Sequence, residues 1–374
     1  MGGIEILKKS LFQKLIISLV FTLLLLSFFS LNTFAKGNQG EVAKPVSSVA
    51  PGSYYRAQLV ELSSPTPNVK IFYTTDGSDP INNGQVYSEP ILVEEDTIIK
   101  AIAVRGNVNS KALAGSKGKT RSEIAVFTFT FETRASIANK FLSFTYDGMP
   151  YRLFVPEHYD TSESYPLVLF LHGGGERGTD NEKQLLSNDG AIIWAAPENQ
   201  AKHPAFVLAP QARNVHDGGF TVTRDSNNIV NLSKVFEYSK DLGKAHEILQ
   251  HVIKEYNIDT SRLYSTGLSQ GGYGTFNLNI KYPNLFAAMV PIAGGGDPAE
   301  ANKLIDKPIW AFHAEDDAVI PVEHTRDMIE AIKNAGGSPI YTEYEAELRY
   351  NHGSWVPAYE NSEMIEWVFK QVNK

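Results

Sequence analysis

The sequence predicts a small all-β domain followed by a larger α/β domain whose central sheet is mostly parallel. Before residue 132, short runs with strand-like alternation are separated by turn residues, and no long helical period lies between them. After residue 137, short and mostly apolar runs alternate with helical segments. Strands that are buried on both faces and separated by helices form parallel sheets. A chain of 374 residues is long enough for both domains.

The N-terminal segment predicts export. Basic residues up to Lys14 precede an apolar run from Leu15 to Phe29, and Thr33-Phe34-Ala35 supplies small residues before Lys36. The run is shorter than the roughly 20 apolar residues that span a membrane, which disfavours a retained anchor. We therefore expect a bacterial-type signal peptide over residues 1–35, a secreted mature protein and no stable membrane association after cleavage.

Composition excludes several kinds of function. The chain has no cysteine, so disulfides, thiol catalysis and zinc–thiolate sites are excluded. The formal net charge is −8, and no basic stripe with interleaved aromatic residues is present. These features disfavour binding to nucleic-acid backbones, so we expect no nucleic-acid partner. The sequence leaves the oligomeric state open.

The first domain is predicted over residues 49–132, after a polar linker over residues 36–48. Three runs rich in β-branched and aromatic residues, at 69–75, 97–104 and 124–131, predict strands of a sandwich. Turn residues follow the first of these runs.

A short string in this domain carries a family resemblance. Tyr73-Thr-Thr-Asp-Gly-Ser-Asp-Pro, together with Thr97-Ile-Ile-Lys-Ala-Ile-Ala, resembles the chitobiase/β-hexosaminidase C-terminal-type domain. The resemblance implies an immunoglobulin-like module of the kind appended to secreted enzymes. Asp76 and Asp79 could suggest a calcium loop, but Asp-Gly and Asp-Pro are common turn formers, which favours a turn.

The second domain is predicted over residues 137–374. It opens with a hairpin, since 141–146 and 151–156 flank the turn residues Asp147-Gly148. A helix is predicted over 242–256, where apolar residues recur on one stripe. The buried strands are predicted at 167–171, 205–209, 262–266, 287–292, 308–312 and 340–344.

The pentapeptide Gly267-Leu268-Ser269-Gln270-Gly271 lies between one of these strands and a helix. This G-x-S-x-G pattern is typical of a nucleophile elbow, a turn so sharp that bulky side chains two residues on either side of the serine would collide. Ser269 is therefore the candidate nucleophile.

A glycine-rich loop follows the strand that ends at Leu171. His172-Gly173-Gly174-Gly175 lets backbone N–H groups point at a developing anion without obstruction by side chains. A phosphate cradle is disfavoured, because no Gly-Lys-Ser/Thr follows and no G-x-G-x-x-G opens a helix. We expect the backbone N–H groups of Gly174 and Gln270 to form the oxyanion hole, with Gly173 as the alternative to Gly174.

A serine nucleophile requires a base and an acid, which follow it in the order Ser, Asp or Glu, His in this architecture. Of the three histidines after Ser269, only His352 follows the last predicted strand. His352 is therefore the candidate base. The acid is expected in the loop that holds Glu315, Asp316 and Asp317, and spacing alone does not choose among the three.

The motifs of this domain together carry a second resemblance. The chain is similar to the secreted α/β-hydrolases known as predicted peptidases, and to polyhydroxybutyrate-depolymerase-like and feruloyl-esterase-like enzymes. In that family the acid lies in a string of the form His-Gly-x-x-Asp-x-x-x-Pro, which implies Asp317 here, with Ala314 in place of glycine and Asp316 in reserve. The matching motifs are His172-Gly-Gly-Gly-Glu-Arg-Gly, Gly267-Leu-Ser-Gln-Gly-Gly-Tyr-Gly-Thr, Tyr282-Pro-Asn-Leu-Phe-Ala-Ala, Pro291-Ile-Ala-Gly-Gly-Gly and Asn351-His-Gly-Ser-Trp.

These features predict an α/β-hydrolase fold and a serine hydrolase that cleaves carboxylic esters without metal or organic cofactor. Export and the β module favour feruloyl or acetyl esters of polysaccharides as substrates. Trp355 and Phe220, the latter in a polar segment over residues 213–238, are candidate substrate contacts. The alternatives are a serine peptidase of the prolyl-oligopeptidase-like type and a secreted binding protein without catalysis.

Overall fold

A computed structural model describes residues 40–106, 120–223, 225, 227, 229 and 231–373. The predicted signal peptide and residues 36–39 of the predicted linker lie outside the described residues. No described helix is long and apolar enough to cross a membrane.

The N-terminal unit is built from β-strands, as predicted. Over the described residues, its main sheet has five strands in the order β2-β9-β8-β5-β6, and β1 with β4 and β3 with β7 form two-stranded sheets. Alternate residues of the long strands, such as Ile99 and Phe129, are fully buried between the sheets. The strand bounds are β1 Val46–Ser47, β2 Gly52–Tyr54, β3 Gln58–Val60, β4 Leu62–Ser63, β5 Val69–Thr74, β6 Gln85–Val86, β7 Ile91–Val93, β8 Thr97–Arg105 and β9 Ala125–Phe131.

The predicted linker over residues 36–48 is wrong at its C-terminal end. Val42 is 5% exposed and belongs to the core of the β unit. Val46 and Ser47 pair with Ser63 and Leu62 in antiparallel register. Because residues 36–48 are mostly polar, their composition gave no sign that a single apolar residue, Val42, belongs to the core of the sandwich.

Asp76 and Asp79 form turns, as predicted. The Asp76 carboxylate accepts the Ser78 N–H at 2.9 Å. The Asp79 carboxylate accepts the Ile81 N–H at 2.8 Å and caps the short helix α1, Pro80–Asn83. Local hydrogen bonds of this kind are what Asp contributes to turns and helix caps.

The C-terminal unit contains an eight-stranded sheet in the order β10-β11-β13-β12-β14-β15-β16-β17. The strands β12 to β17 are mutually parallel wherever they pair, and β10 and β11 are antiparallel additions at one edge. The bounds are β10 Leu142–Tyr146, β11 Met149–Phe154, β12 Tyr165–Leu171, β13 Phe206–Pro210, β14 Ile258–Leu268, β15 Ala288–Ile292, β16 Trp310–Ala314 and β17 Ile340–Tyr344. The predicted hairpin is present, with Asp147 and Gly148 both at positive φ in its turn.

Helices cover both faces of this sheet. The longest of the described helices, α6, carries a buried stripe that includes Leu242, Ile248 and Val252 and packs on one face. Trp194, Ile365 and Val368 pack on the other face. The helices after α1 are α2 Arg134–Ala138, α3 Lys183–Leu186, α4 Ile192–Ala195, α5 Pro197–Lys202, α6 Lys240–Glu255, α7 Gln270–Lys281, α8 Glu323–Asn334, α9 Trp355–Tyr359 and α10 Ser362–Phe369.

The two units are joined by a polar contact around Asp189. This carboxylate, whose side chain is 15% exposed, accepts hydrogen bonds from Tyr55 Oη at 2.6 Å, Arg56 Nη2 at 2.6 Å and Arg134 Nε at 2.9 Å. Glu198 accepts the backbone N–H groups of Tyr55 and Arg56. One turn of the β unit is thereby fixed to the loop before α4 and to the first turn of α5.

Candidate active site

Ser269 lies at a sharp turn between β14 and α7, with φ 54° and ψ −118°. This backbone conformation is unfavourable for a residue with a side chain, at a cost of about 1–3 kcal/mol. The flanking glycines make the turn possible. A Cβ on Gly267 would lie 2.4 Å from the Gly271 carbonyl oxygen, and a Cβ on Gly271 would lie 1.8 Å from the Leu171 carbonyl oxygen. The steric reason predicted for these glycines is therefore correct.

The Ser269 hydroxyl begins a hydrogen-bonded chain of three side chains. Ser269 Oγ lies 2.9 Å from His352 Nε2, and His352 Nδ1 lies 2.7 Å from Asp317 Oδ2. The structure thus brings together the three residues that the sequence analysis selected. The arrangement allows Nε2 to accept the serine proton while Nδ1–H donates to the carboxylate.

Asp317 is buried at the end of this chain, with its side chain 0% exposed. Its Oδ1 accepts the backbone N–H groups of Val319 at 2.8 Å and Ile320 at 2.9 Å. Burial alone would raise the pKa of Asp317, but hydrogen bonds from His313, His352 and the Ile320 N–H outweigh it and hold that pKa well below its usual range. The carboxylate therefore stays ionised and fixed in orientation.

The neighbouring carboxylates have other partners. Asp316 Oδ1 accepts the Asn351 N–H at 2.9 Å, and Glu315 forms an ion pair with Arg326 at 3.6 Å. Asn351 Oδ1 in turn accepts the His352 N–H at 2.7 Å. Asp316 therefore holds the loop that carries His352, whereas Asp317 contacts the imidazole itself.

The glycine-rich loop after β12 is held from behind by two buried side chains. His172 Nδ1 donates to the Gly173 carbonyl at 2.6 Å, and His172 Nε2 accepts the Ala212 N–H at 2.9 Å. Burial lowers the pKa of His172 to about 4, so the ring is neutral, as this pattern of one donor and one acceptor requires. Arg177 Nε donates to the Gly174 carbonyl at 2.9 Å.

These contacts fix the direction of the candidate oxyanion donors. Since a trans peptide places its C=O and N–H on opposite sides, a Gly173 carbonyl directed at His172 turns the Gly174 N–H the other way. Gln270 is the first residue of α7, and the first N–H groups of a helix have no partner within the helix. The loop lies close to the serine, because a Cβ on Gly173 would lie 3.5 Å from Ser269 Cβ.

A carboxyl group beside this loop was not predicted from the sequence. A Cβ on Gly173 would lie 3.0 Å from Glu176 Oε2, and Asn188 Nδ2 donates to Glu176 Oε1 at 3.1 Å. Burial raises the pKa of Glu176. The string His172-Gly-Gly-Gly-Glu-Arg-Gly contained this residue, but sequence alone gave no reason to separate it from solvated loop charges.

The two candidate substrate contacts differ in position. Trp355 begins α9 beside the base, with its ring centroid 5.1 Å from that of His352 and perpendicular to it. Phe220 is 0% exposed and packs against the His172 ring at 4.7 Å. Phe220 therefore supports the glycine-rich loop from inside the protein and presents no surface to a substrate. The polar segment around it folds over the start of α7 at Gln270.

Other residues of that polar segment also support the starts of α6 and α7. Gln270 Nε2 donates to the Thr221 carbonyl at 2.7 Å and to Thr223 Oγ1 at 3.1 Å. The Gly219 N–H donates to Asp241 at 2.8 Å.

Among the described residues, no group of three or more His, Asp or Glu side chains could hold a metal ion.

Two family models match the chain. Residues 49–114 match the chitobiase/β-hexosaminidase C-terminal domain, and residues 145–342 match the family described as "Putative esterase". A solved structure described as a thermostable esterase is 30% identical, covers 88% of this chain and 99% of its own, and superposes with a TM-score of 0.59. These matches confirm both predicted resemblances and the α/β-hydrolase fold preceded by a β-sandwich.

Two curated relatives match over shorter stretches. Poly(3-hydroxyalkanoate) depolymerase C of Paucimonas lemoignei is 32% identical over 133 residues, which are 35% of this chain and 28% of the depolymerase. Probable feruloyl esterase C of Aspergillus niger is 26% identical over 149 residues, which are 40% of this chain and 47% of that protein. The match spans less than half the length of either relative.

Proposed function

Because the chain belongs to the "Putative esterase" family, we propose that it hydrolyses carboxylic esters through an acyl-enzyme on Ser269. The observation that carries the proposal is the unbroken hydrogen-bonded chain from Ser269 Oγ through His352 to Asp317, at 2.9 and 2.7 Å. A serine with a base and an orienting carboxylate at these distances is suited to nucleophilic attack on an acyl carbon.

The proposed reaction has two halves. His352 Nε2 takes the proton of Ser269 Oγ as that oxygen attacks the ester carbonyl, and the Gly174 and Gln270 N–H groups hold the oxyanion. The protonated His352 then gives its proton to the departing alcohol, which leaves the acyl group on Ser269. Water, deprotonated by His352, then attacks this ester; as the acyl–Oγ bond breaks and the acid leaves, His352 returns the proton to Ser269 Oγ. No step needs a metal or an organic cofactor.

We further propose that the acyl group is small or aromatic and is carried by a plant or microbial polysaccharide. Supporting this are the similarity to a protein named feruloyl esterase, the β module, and the half-buried ring of Trp355 next to His352. The predicted signal peptide supports action outside the cell. N-terminal sequencing of the protein from culture medium tests the export proposal, which predicts a chain that starts near Lys36.

A hydrolysis screen tests the activity and separates it from the peptidase alternative. The panel holds feruloyl, acetyl and longer-chain esters together with chromogenic peptides, and each is measured with the wild type and Ser269→Ala. We expect turnover of esters that Ser269→Ala lowers by at least about 10³-fold, with the same circular dichroism spectrum. Peptide turnover without ester turnover would overturn the esterase proposal, and a folded wild type inactive on the whole panel would favour a binding protein.

A further inference from the structure

A second histidine shares the carboxylate of Asp317. His313 lies in β16 and is 0% exposed. Its Nε2 is 3.2 Å from Asp317 Oδ2, the same oxygen that His352 Nδ1 contacts at 2.7 Å, and 3.2 Å from the Ile320 carbonyl oxygen. A carbonyl oxygen can only accept a hydrogen bond, so His313 Nε2 must carry a proton. Asp317 Oδ2 therefore accepts N–H groups from two imidazoles.

The other nitrogen of His313 also faces an acceptor. His313 Nδ1 lies 2.7 Å from Thr325 Oγ1, and the Thr325 hydroxyl donates its single hydrogen to the Gly294 carbonyl. Thr325 Oγ1 is then left to accept, which requires a hydrogen on His313 Nδ1. The full pattern is satisfied only by a ring that carries a proton on both nitrogens.

The surroundings of His313 are able to hold such a cation. Asp317 supplies a buried negative charge at 3.2 Å. The other ionisable groups that face the ring are Glu343, its partner in the register of β17, and His324 from α8. Glu343 is itself paired with Arg326 at 2.6 Å, which leaves Asp317 as the counter-ion in direct contact. An ionised and hydrogen-bonded pair is the form in which buried charges are tolerated.

We propose that His313 is a positioning residue, held as an imidazolium against Asp317, that fixes the triad carboxylate and limits how strongly it attracts a proton to His352. This inference rests on the proposed function of Ser269, Asp317 and His352. Two effects follow from the geometry. The ring anchors the same oxygen, Asp317 Oδ2, that His352 contacts. Its charge also offsets part of the carboxylate charge that would otherwise stabilise a protonated, inactive His352.

Two variants separate these effects by kinetics on 4-nitrophenyl acetate. His313→Gln keeps an N–H donor without the charge, and His313→Leu removes both. Loss of a positive charge several ångströms from His352, at an effective dielectric constant of about 20, shifts the acid limb of the pH profile by about one to two pH units. We expect the acid limb of the kcat/KM profile to move up by that amount in His313→Gln, with a plateau kcat within about fivefold of wild type.

The outcomes of these kinetics are distinct. His313→Leu is expected to show the same shift and a larger loss of kcat, because the anchor is also gone. If the acid limb stays in place or moves down in both folded variants, His313 is not held as a cation against Asp317 and is only a packing residue. If His313→Leu does not fold, the comparison of His313→Gln with wild type decides alone.

A spectroscopic measurement tests the protonation without any turnover. In wild-type protein labelled with 15N-histidine, long-range 1H–15N spectra at neutral pH are expected to show one ring protonated on both nitrogens, as the acceptors around His313 require. The signal should be missing from His313→Gln. Only singly protonated rings at neutral pH would overturn the inference even if esters are hydrolysed. The doubly protonated ring in a protein that hydrolyses no ester would instead indicate that the proposed function has failed.

Discussion

Replacement of Asp317 by Asn should nearly abolish ester hydrolysis while leaving the fold intact, and the structure shows why. Asp317 Oδ1 accepts two backbone N–H groups, from Val319 and Ile320. In Asp317→Asn only the amide oxygen can accept these two N–H groups, so the NH2 group occupies the position of Oδ2. The NH2 group then donates to His352 Nδ1, so the hydrogen of the neutral imidazole must lie on Nε2 instead. A ring with Nε2–H directed at Ser269 cannot remove the serine proton.

The expected loss is large because this change inverts the tautomer rather than weakening a contact. A base held in the wrong tautomer costs about 10⁴-fold in kcat, or about 5 kcal/mol in the barrier. The assay is initial-rate hydrolysis of 4-nitrophenyl acetate at the optimal pH, with thermal unfolding as the test of folding.

Asp316→Asn is the matched control for this experiment. Asp316 accepts the Asn351 N–H, a role that an amide oxygen keeps, so the loss should stay within about 1 kcal/mol, or roughly fivefold. A folded Asp317→Asn that retains more than a tenth of wild-type activity would show that Asp317 does not set the tautomer of His352. A large loss in Asp316→Asn alone would transfer the role of the acid to that residue.

Three further predictions concern stability. Burial lowers the pKa of Lys307 to about 8. Because the unfolded chain binds this proton more tightly, the charged Lys307 side chain destabilises the folded state. This loss of stability is fully present below pH 8 and disappears as the pH rises towards the ordinary lysine pKa near 10.4. Lys307→Met should therefore raise the free energy of unfolding in urea at pH 7 by up to about 3 kcal/mol, and a gain that does not shrink by pH 10 would contradict this. Asp189→Ala removes the acceptor shared by both units and should lower the free energy of the first unfolding transition, measured by calorimetry, by about 1–3 kcal/mol. An unchanged thermogram would count against a rigid contact between the units. Gly271→Ala should fold poorly because its Cβ would overlap the Leu171 carbonyl, whereas Gly175→Ala, with open space around it, should keep the wild-type melting temperature; equal melting temperatures would argue against the elbow.

Local patterns in the sequence were sufficient to predict the parts of the fold and site that depend on neighbours in the chain. The turn at Asp147-Gly148 requires positive φ, which both residues adopt. The elbow around Ser269 depends on glycines two residues away on each side. His352 could be chosen because the order of strands along the chain determines which loops meet at one edge of a parallel sheet.

Features that depend on contacts distant in the chain were not predictable in this way. Val42 lies in a polar stretch, and only the sandwich that it closes shows that it is core. Phe220 is apolar in a polar segment, which is equally expected of a pocket wall and of a buried support. Sequence order did not show that His313 would share an oxygen with His352, because the two rings meet only through Asp317.

The proposed reaction depends above all on the activation of Ser269 by His352 as a nucleophile towards acyl-like electrophiles. The most direct measurement is intact-protein mass spectrometry after treatment with a fluorophosphonate probe, followed by peptide mapping. We expect one adduct per chain, located on Ser269, that is absent in Ser269→Ala and much slower to form in His352→Ala. A folded wild-type protein without an adduct, or an adduct that persists in Ser269→Ala, would contradict this expectation.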